Sequence, residues 1–280
     1  MAQAQLRDDV FAANRAVGHV AFSVAASPAS GTSRRARVHE TGSLRVRFPN
    51  VETRQAGLDA VIVNTAGGIA GGDRFDIDIK VGSGAALTIT TAAAEKIYRS
   101  LGPDAEIAIK LDVASGGTLK WLPQETIVFD SVRLRRSIEV DVARDAKLLL
   151  AEACVFGRAA MGEVVAEGCI FDRWRMRVDG ALVLAETLRL DEKIAQRLAQ
   201  RAIAAESIAI ASVIKIPGSD DDATAVRAMQ DQYAGEVGVS AWKGLAMARL
   251  VAPDGATLRR DLVAVLRVLG GAPLPRLWLN

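Results

Sequence analysis

The chain is poor in the residues that most often mark chemistry. Of its 280 residues two are cysteine and two histidine, and aromatic residues make up only 5%. Cys154 and Cys169 stand in apolar stretches (EACVF and EGCIF) with no CxxC or Cys/His spacing, so a disulfide framework, a zinc site and thiol catalysis are not expected. His19 and His39 lie twenty positions apart, and both read as ordinary structural histidines. No apolar run reaches the roughly 20 residues needed to cross a bilayer, so no membrane span is expected. The N-terminus, MAQAQLRDDVFAANR, carries acids where a secretory signal would carry a basic region, which points to a cytoplasmic protein. Thirty-five basic residues against thirty-three acidic ones leave a net charge of +2, too little to imply a polyanionic partner.

What the chain does have is alternation. Leu44, Val46 and Phe48 alternate with Arg45 and Arg47, and Phe75, Ile77, Ile79 and Val81 with Asp76, Asp78 and Lys80. The same period of two runs through Ile107 to Val113, Ile138 to Val142 and Trp174 to Val178, each a strand buried on one face. GSGA at 82–85, SGG at 115–117 and VDG at 178–180 read as turns. Helical spacing appears towards the C-terminus. An acidic start at Asp220–Asp222 precedes Val226, Met229 and Tyr233, and Leu258, Leu262, Val265, Leu266 and Leu269 recur at three and four before Gly270 and Gly271. Residues 191–205 have helical composition but too thin an apolar stripe to assign. The result is a mainly β protein, a stack of short strands with a few short helices near the C-terminus, continuous over 1–280.

Three stretches look chemical and are weighed against plain structure. AGGIAGGD (66–73) lacks the spacing of a P-loop or Rossmann loop, and the strand FDIDIKV follows it rather than a helix, so it reads as a wide glycine turn. TTAAAEKIYR offers hydroxyls, Lys96, Tyr98 and Arg99, with no nucleophile motif. WLPQETIVFD offers Glu125 and Asp130 as a carboxylate pair without a spacing rule to join them. Arg133, Arg135 and Arg136, with Arg173, Arg175 and Arg177, read as solvated faces or as a surface for an acidic protein partner; without stacking aromatics between them they do not indicate nucleic acid.

In their order, NTAGGIAGGDRFDIDI, LTITTAAAEKIYRSLG, LKWLPQETIVFD, GRAAMGE, AETLRLD, SAWKGLAMARLVAPDG and the tail LPRLWLN resemble the urease accessory protein UreD family, called UreH in some organisms. The resemblance runs from about residue 15 to the C-terminus and departs from the family pattern at Ala66. Its carriers are Gly67, Gly68, Gly71, Gly72, Lys96, Tyr98, Arg99, Trp121 and Pro123. It implies one domain over 1–280, with 1–14 as a tail without fixed structure, and an elongated, solenoid-like stack of sheets. It implies a non-enzymatic scaffold that binds apo-urease (UreA, UreB and UreC) and recruits UreF and, through it, the GTPase UreG. Nickel would pass transiently, with no tightly bound cofactor, no catalytic residue and no permanent metal site. The expected lining of a nickel path is Asp73, Thr90, Thr91, Gln124 and Glu125, and exposed Arg276 and Trp278 are the expected anchors for UreF, the alternative for Trp278 being that it packs on its own domain. The competing function is a β-rich cytoplasmic hydrolase or isomerase using Asp73, Lys96, Tyr98 or Glu125.

Overall fold

A strand of alternating character buries one face only, so such strands need a second sheet to pack against. In the computed structural model, which describes residues 14–49, 57–100, 102–270 and 273–279, the chain meets that need by winding between two sheets. It opens with the hairpin β1 (Val17–Ala26) and β2 (Ser33–Gly42) and the short β3 (Leu44–Arg47). Then β4 (Leu58–Asn64) lies in one sheet and β5 (Arg74–Val81) in the other. β6 (Ala86–Thr91) and β7 (Glu95–Ile97) return to the first sheet, and β8 (Ala105–Val113) to the second. The winding repeats with β9 (Thr118–Trp121) and β10 (Thr126–Val128), β11 (Val132–Val142), β12 (Lys147–Phe156) and β13 (Gly168–Val178). Neighbours β4, β6, β9 and β12 are parallel, as are β1, β5, β8, β11 and β13, which is the register of a β-solenoid.

The coil ends when β14 (Ala181–Glu192) folds back antiparallel on β13. Asp179 and Gly180 make that turn at φ 47° and 77°, the left-handed pair that suits a tight hairpin. After α1 (Ile194–Leu198) the chain crosses to the first sheet and extends it with β15 (Ala209–Ile216). α2 (Asp220–Arg227), β16 (Glu236–Trp242), β17 (Leu245–Ala252) and α3 (Gly255–Gly270) complete the chain. The second sheet runs β14-β13-β11-β8-β5-β1-β2. The first runs β16-β17-β15-β12-β9-β6-β4-β3, with β10 and β7 alongside.

Two apolar cores result. One lies between the sheets and includes Phe22, Phe75, Trp121, Ile138, Leu148, Leu150 and Phe156. The other lies on the outer side of the ten-stranded sheet, where Leu258, Leu262, Val265 and Leu266 of α3 pack on Leu149, Ala151, Ala153 and Val213. β12 therefore serves both cores and reads KLLLAEACVF with almost no polar side, as a strand buried on both faces must. Lys120 closes the end of α3, its Nζ donating to Gly270 O at 3.0 Å.

Several expectations are refined here. The helix expected from Asp220 ends at Arg227; Gln230–Gln232 is a 3₁₀ turn, and Ser219 and Asp222 form a capping box at the start. The helix over 257–269 is α3, whose expected stop at Gly271 lies outside the described residues. Residues 191–205 divide into the end of β14, α1 and turns. The expectation for 1–14 falls, apart from Asn14, outside the described residues. Arg136 is a correction: it is not on a solvated face but 9% exposed, because adjacent strand residues point oppositely and Arg135 takes the outer side. No described helix is long and apolar enough to cross a membrane.

Candidate functional site

The two threonine- and tryptophan-led motifs occupy the same height in successive coils, and each breaks its strand. Residues 92–94 separate β6 from β7, and 122–125 separate β9 from β10, where Pro123 lacks the N–H an interior strand would need. The breaks stack on one another. Ala92 N donates to Ile62 O at 2.9 Å, Leu122 N to Ile89 O at 2.8 Å, Glu95 N to Glu125 O at 2.9 Å and Gln124 N to Thr91 Oγ1 at 2.9 Å.

Beside them the glycine loop carries the chain from β4 to β5. Gly68 sits at φ 150°, and a β-carbon there would lie 2.4 Å from the Tyr98 ring, so only glycine fits. Tyr98 donates its hydroxyl to Gly67 O at 2.9 Å and meets Phe129 edge to face at 5.1 Å. Asn64 Nδ2 donates to Gly68 O at 3.1 Å and to both Glu95 oxygens at 3.1 and 3.2 Å. Burial pushes the Glu95 carboxyl up to about 7, against the opposing pull of Asn64 and Lys96. Asp73 is buried, with Oδ1 accepting from Ala16 N at 2.8 Å and Oδ2 from Ala70 N at 2.7 Å, so it staples the loop to β1. Lys96 and Arg99 are exposed.

Thr90, Thr91, Gln124 and Glu125 do come together, Gln124 bonding both threonines, whereas Asp73 bonds only to Ala16 N and Ala70 N. Arg259 of α3 holds Gln124 and Glu125: its Nη1 donates to Gln124 Oε1 at 2.8 Å and Glu125 Oε1 at 2.7 Å, and its Nη2 to Leu277 O at 3.2 Å. Gln124 Nε2 also reaches Leu277 O at 3.2 Å. Trp278 follows the second of its two readings, packing on its own domain, and is not an exposed anchor. It is 3% exposed, donates Nε1 to Leu122 O at 2.9 Å and lies under the Arg259 guanidinium at 5.0 Å, so it closes its own domain; Arg276 remains exposed. Of the residues of the hydrolase reading, Asp73 is stapled by two backbone amides, Glu125 is paired with Arg259 and Tyr98 is bonded to the loop, while Lys96 is exposed.

A second polar group lies between the sheets, where sequence reasoning placed nothing. Arg136 of β11 donates Nη1 to Glu152 Oε2 of β12 and Nη2 to Asp172 Oδ2 of β13, both at 2.6 Å. Trp121 Nε1 donates to Glu152 Oε1 at 2.8 Å, and Trp174 Nε1 to Asp172 Oδ1 at 3.0 Å. Burial works against the Arg136 charge, but Asp172 and Glu152 outweigh it and keep the guanidinium protonated. Burial raises Glu152 despite the pull of Arg136 and the Trp121 N–H. It also pushes the Cys154 thiol up to about 12. A cavity of about 240 Å³ leads from this group past Leu188 and Leu190 to Glu186 and Arg249, which pair at its edge. The signal that marks the group is parity. Arg136, Glu152 and Asp172 each occupy the apolar phase of their strand, between Leu134 and Ile138, Leu150 and Cys154, and Ile170 and Trp174.

The profile of a family described as "UreD urease accessory protein" matches residues 16–279. A protein of Rhodopseudomonas palustris strain BisB5 named "Urease accessory protein UreD" is 54% identical over 273 residues, covering 98% of this chain and 95% of its own length. One of the same name from strain BisA53 is 56% identical over 271 residues, 97% of this chain and 93% of its own. That of Bradyrhizobium diazoefficiens is 52% identical over 271 residues, 97% and 96% of the two chains.

Proposed function

The chain belongs to the UreD family of urease accessory proteins, and from that premise we propose that it is a non-enzymatic scaffold through which nickel passes on its way into urease. A role in urease maturation follows from the family itself. The finer reading is that in the cytoplasm this chain holds apo-urease (UreA, UreB and UreC), recruits UreF and through it UreG, and leaves GTP hydrolysis to UreG. Nickel is cargo here, with no resident site.

The observation that carries the transit reading is the pair of buried carboxylates at the inner end of the inter-sheet cavity. Carboxylate oxygens bind nickel more weakly than cysteine or imidazole clusters, so they release what they receive. Arg136 engages both carboxylates, so a passing dication competes with its guanidinium for their oxygens. Glu186, with its side chain 33% exposed at the edge, is the entry or exit ligand. The earlier candidate lining fits this role less well: Asp73 has both oxygens taken by backbone amides, Gln124 and Glu125 are engaged by Arg259 of α3, and Thr91 Oγ1 is bonded within the strand breaks. Exposed Arg276 and Leu279 remain for UreF.

The test is co-expression of urease and its accessory set with Glu152→Gln or Glu186→Gln in this chain. The expected result is lower nickel content in urease while pull-down of the accessory complex persists. Glu186 is a rim residue, so its substitution tests transit without threatening the core. Full nickel loading with both substitutions would reject the path.

A further inference from the structure

The only two histidines of the chain, twenty residues apart in sequence, are brought to one place by the β1/β2 hairpin. The register pairs His19 with Thr41 and Ala21 with His39, which makes the imidazoles diagonal neighbours on one face. That face is the outer one, since Val20 and Phe22 of the alternate phase are buried in the core. The ring centroids lie 5.5 Å apart with the planes at 62°. On the other side of β1, β5 pairs Asp78 with Ala21, and Asp78 Oδ2 is 3.2 Å from His19 Nε2.

We propose that His19, His39 and Asp78 form a surface site for one divalent transition-metal ion. The choice of Ni²⁺ as its occupant rests on the transit reading above, whereas the site rests on this geometry. Imidazole nitrogen suits nickel, copper and zinc, with metal–nitrogen distances of about 2.1 Å for zinc. At that length two imidazoles sharing one ion at roughly a right or tetrahedral angle have ring centres about 5 Å apart, close to the separation present. A nitrogen and an oxygen on the same ion lie about 3 Å apart, as His19 Nε2 and Asp78 Oδ2 already do. An ion therefore takes the place of the hydrogen in their bond. Among the described residues no three ligating side chains are gathered ready for a metal, so closing this site takes a turn of the His39 ring. His39 is exposed and can make that turn without moving a strand. Lys110 of β8 stands opposite Asp78, Arg37 and Lys80 lie two residues along β2 and β5 on the same face, and Asp76, two residues back, is engaged by Arg74 at 3.3 Å. The flanking charge is net positive, so binding rests on the three ligands and not on the field around them. Three protein ligands leave coordination positions open, which suits an ion that is to be handed on.

The scarcity of histidine makes the test specific. The full chain, purified on a histidine-free tag, is titrated with Ni²⁺ and, as a control, Mg²⁺, while the imidazole C–H signals are followed by NMR and binding by calorimetry. Both histidine signals should broaden together on substoichiometric Ni²⁺ and stay unchanged with Mg²⁺. His19→Gln and His39→Gln should each weaken Ni²⁺ binding at least about tenfold, the size that changes around a metal ligand commonly produce. Their denaturation midpoints should match the wild type. Imidazole signals unmoved by Ni²⁺, or equal affinity in the double His19→Gln, His39→Gln chain, would overturn the site and leave the rings as an edge-to-face contact. Neither histidine lines the inter-sheet cavity. Failure here therefore leaves the transit path standing, and failure of Glu186→Gln to change nickel loading leaves this site standing.

Discussion

The glycine-loop corner and the inter-sheet group both bury acids, yet they hold them in opposite ways. Asp73 accepts from two backbone amides, which cannot leave unless the loop and β1 part. Glu152 and Asp172 each accept from one Arg136 nitrogen and one indole N–H, all side-chain donors. The first arrangement ties a loop to a strand through the backbone, and the second holds its acids by side chains alone beside a cavity. A buried carboxylate is thus no sign of transit by itself; the kind of donor it meets decides.

The sharpest way to break this contrast is to remove the centre of the side-chain group. Arg136→Ala leaves two uncompensated buried carboxylates and should cost about 3–5 kcal/mol in chemical denaturation. Replacing Arg136, Glu152 and Asp172 together by Met, Leu and Leu should restore most of that stability while nickel loading of urease stays low. A triple variant as unstable as the single one would mean the group is a structural joint after all. Next in size, Trp278→Ala should cost about 3 kcal/mol by emptying the space beneath Arg259, whereas Arg276→Ala should leave the denaturation midpoint unchanged and weaken capture of UreF.

Asp73→Ala should cost about 2 kcal/mol by stranding two backbone donors, with nickel loading per folded molecule unchanged; a selective fall in loading would return Asp73 to the path. The smallest effect is that of Glu95. Its folded value of about 7 exceeds the ordinary 4.5, so between those pH values the folded chain keeps a proton that the unfolded chain has lost. Stability should therefore fall as pH rises through that window, by about 1–2 kcal/mol once solvent screening of the carboxyl is allowed for. Denaturation at about pH 5 and about pH 8 should show a drop that Glu95→Gln removes.

Most of the fold is written locally. Phe75, Ile77, Ile79 and Val81 announce β5 because one buried face imposes a period of two, and the glycine loop reads as a turn because Gly67, Gly68 and Gly72 stand at positive φ. α1 is silent because only Ile194 and Leu198 of its five residues are buried. Thr91, Gln124 and Glu125 are legible as neighbours through the stacked motifs, while Arg259, more than 130 positions away, is not. Arg136, Glu152 and Asp172 meet across separations of 16 and 36 residues that depend on coil register, which one sequence does not fix. Their parity was visible all the same, and a charge in the apolar phase of three strands is the clue to seek in such chains.

The helix α3, with the tail around Trp278, is what covers Leu149, Ala151, Ala153 and Val213 on the outer side of the ten-stranded sheet. A chain in which that helix has come loose lays bare an apolar wall, and such walls adhere to one another, so loss of α3 should be read as aggregation before it is read as unfolding.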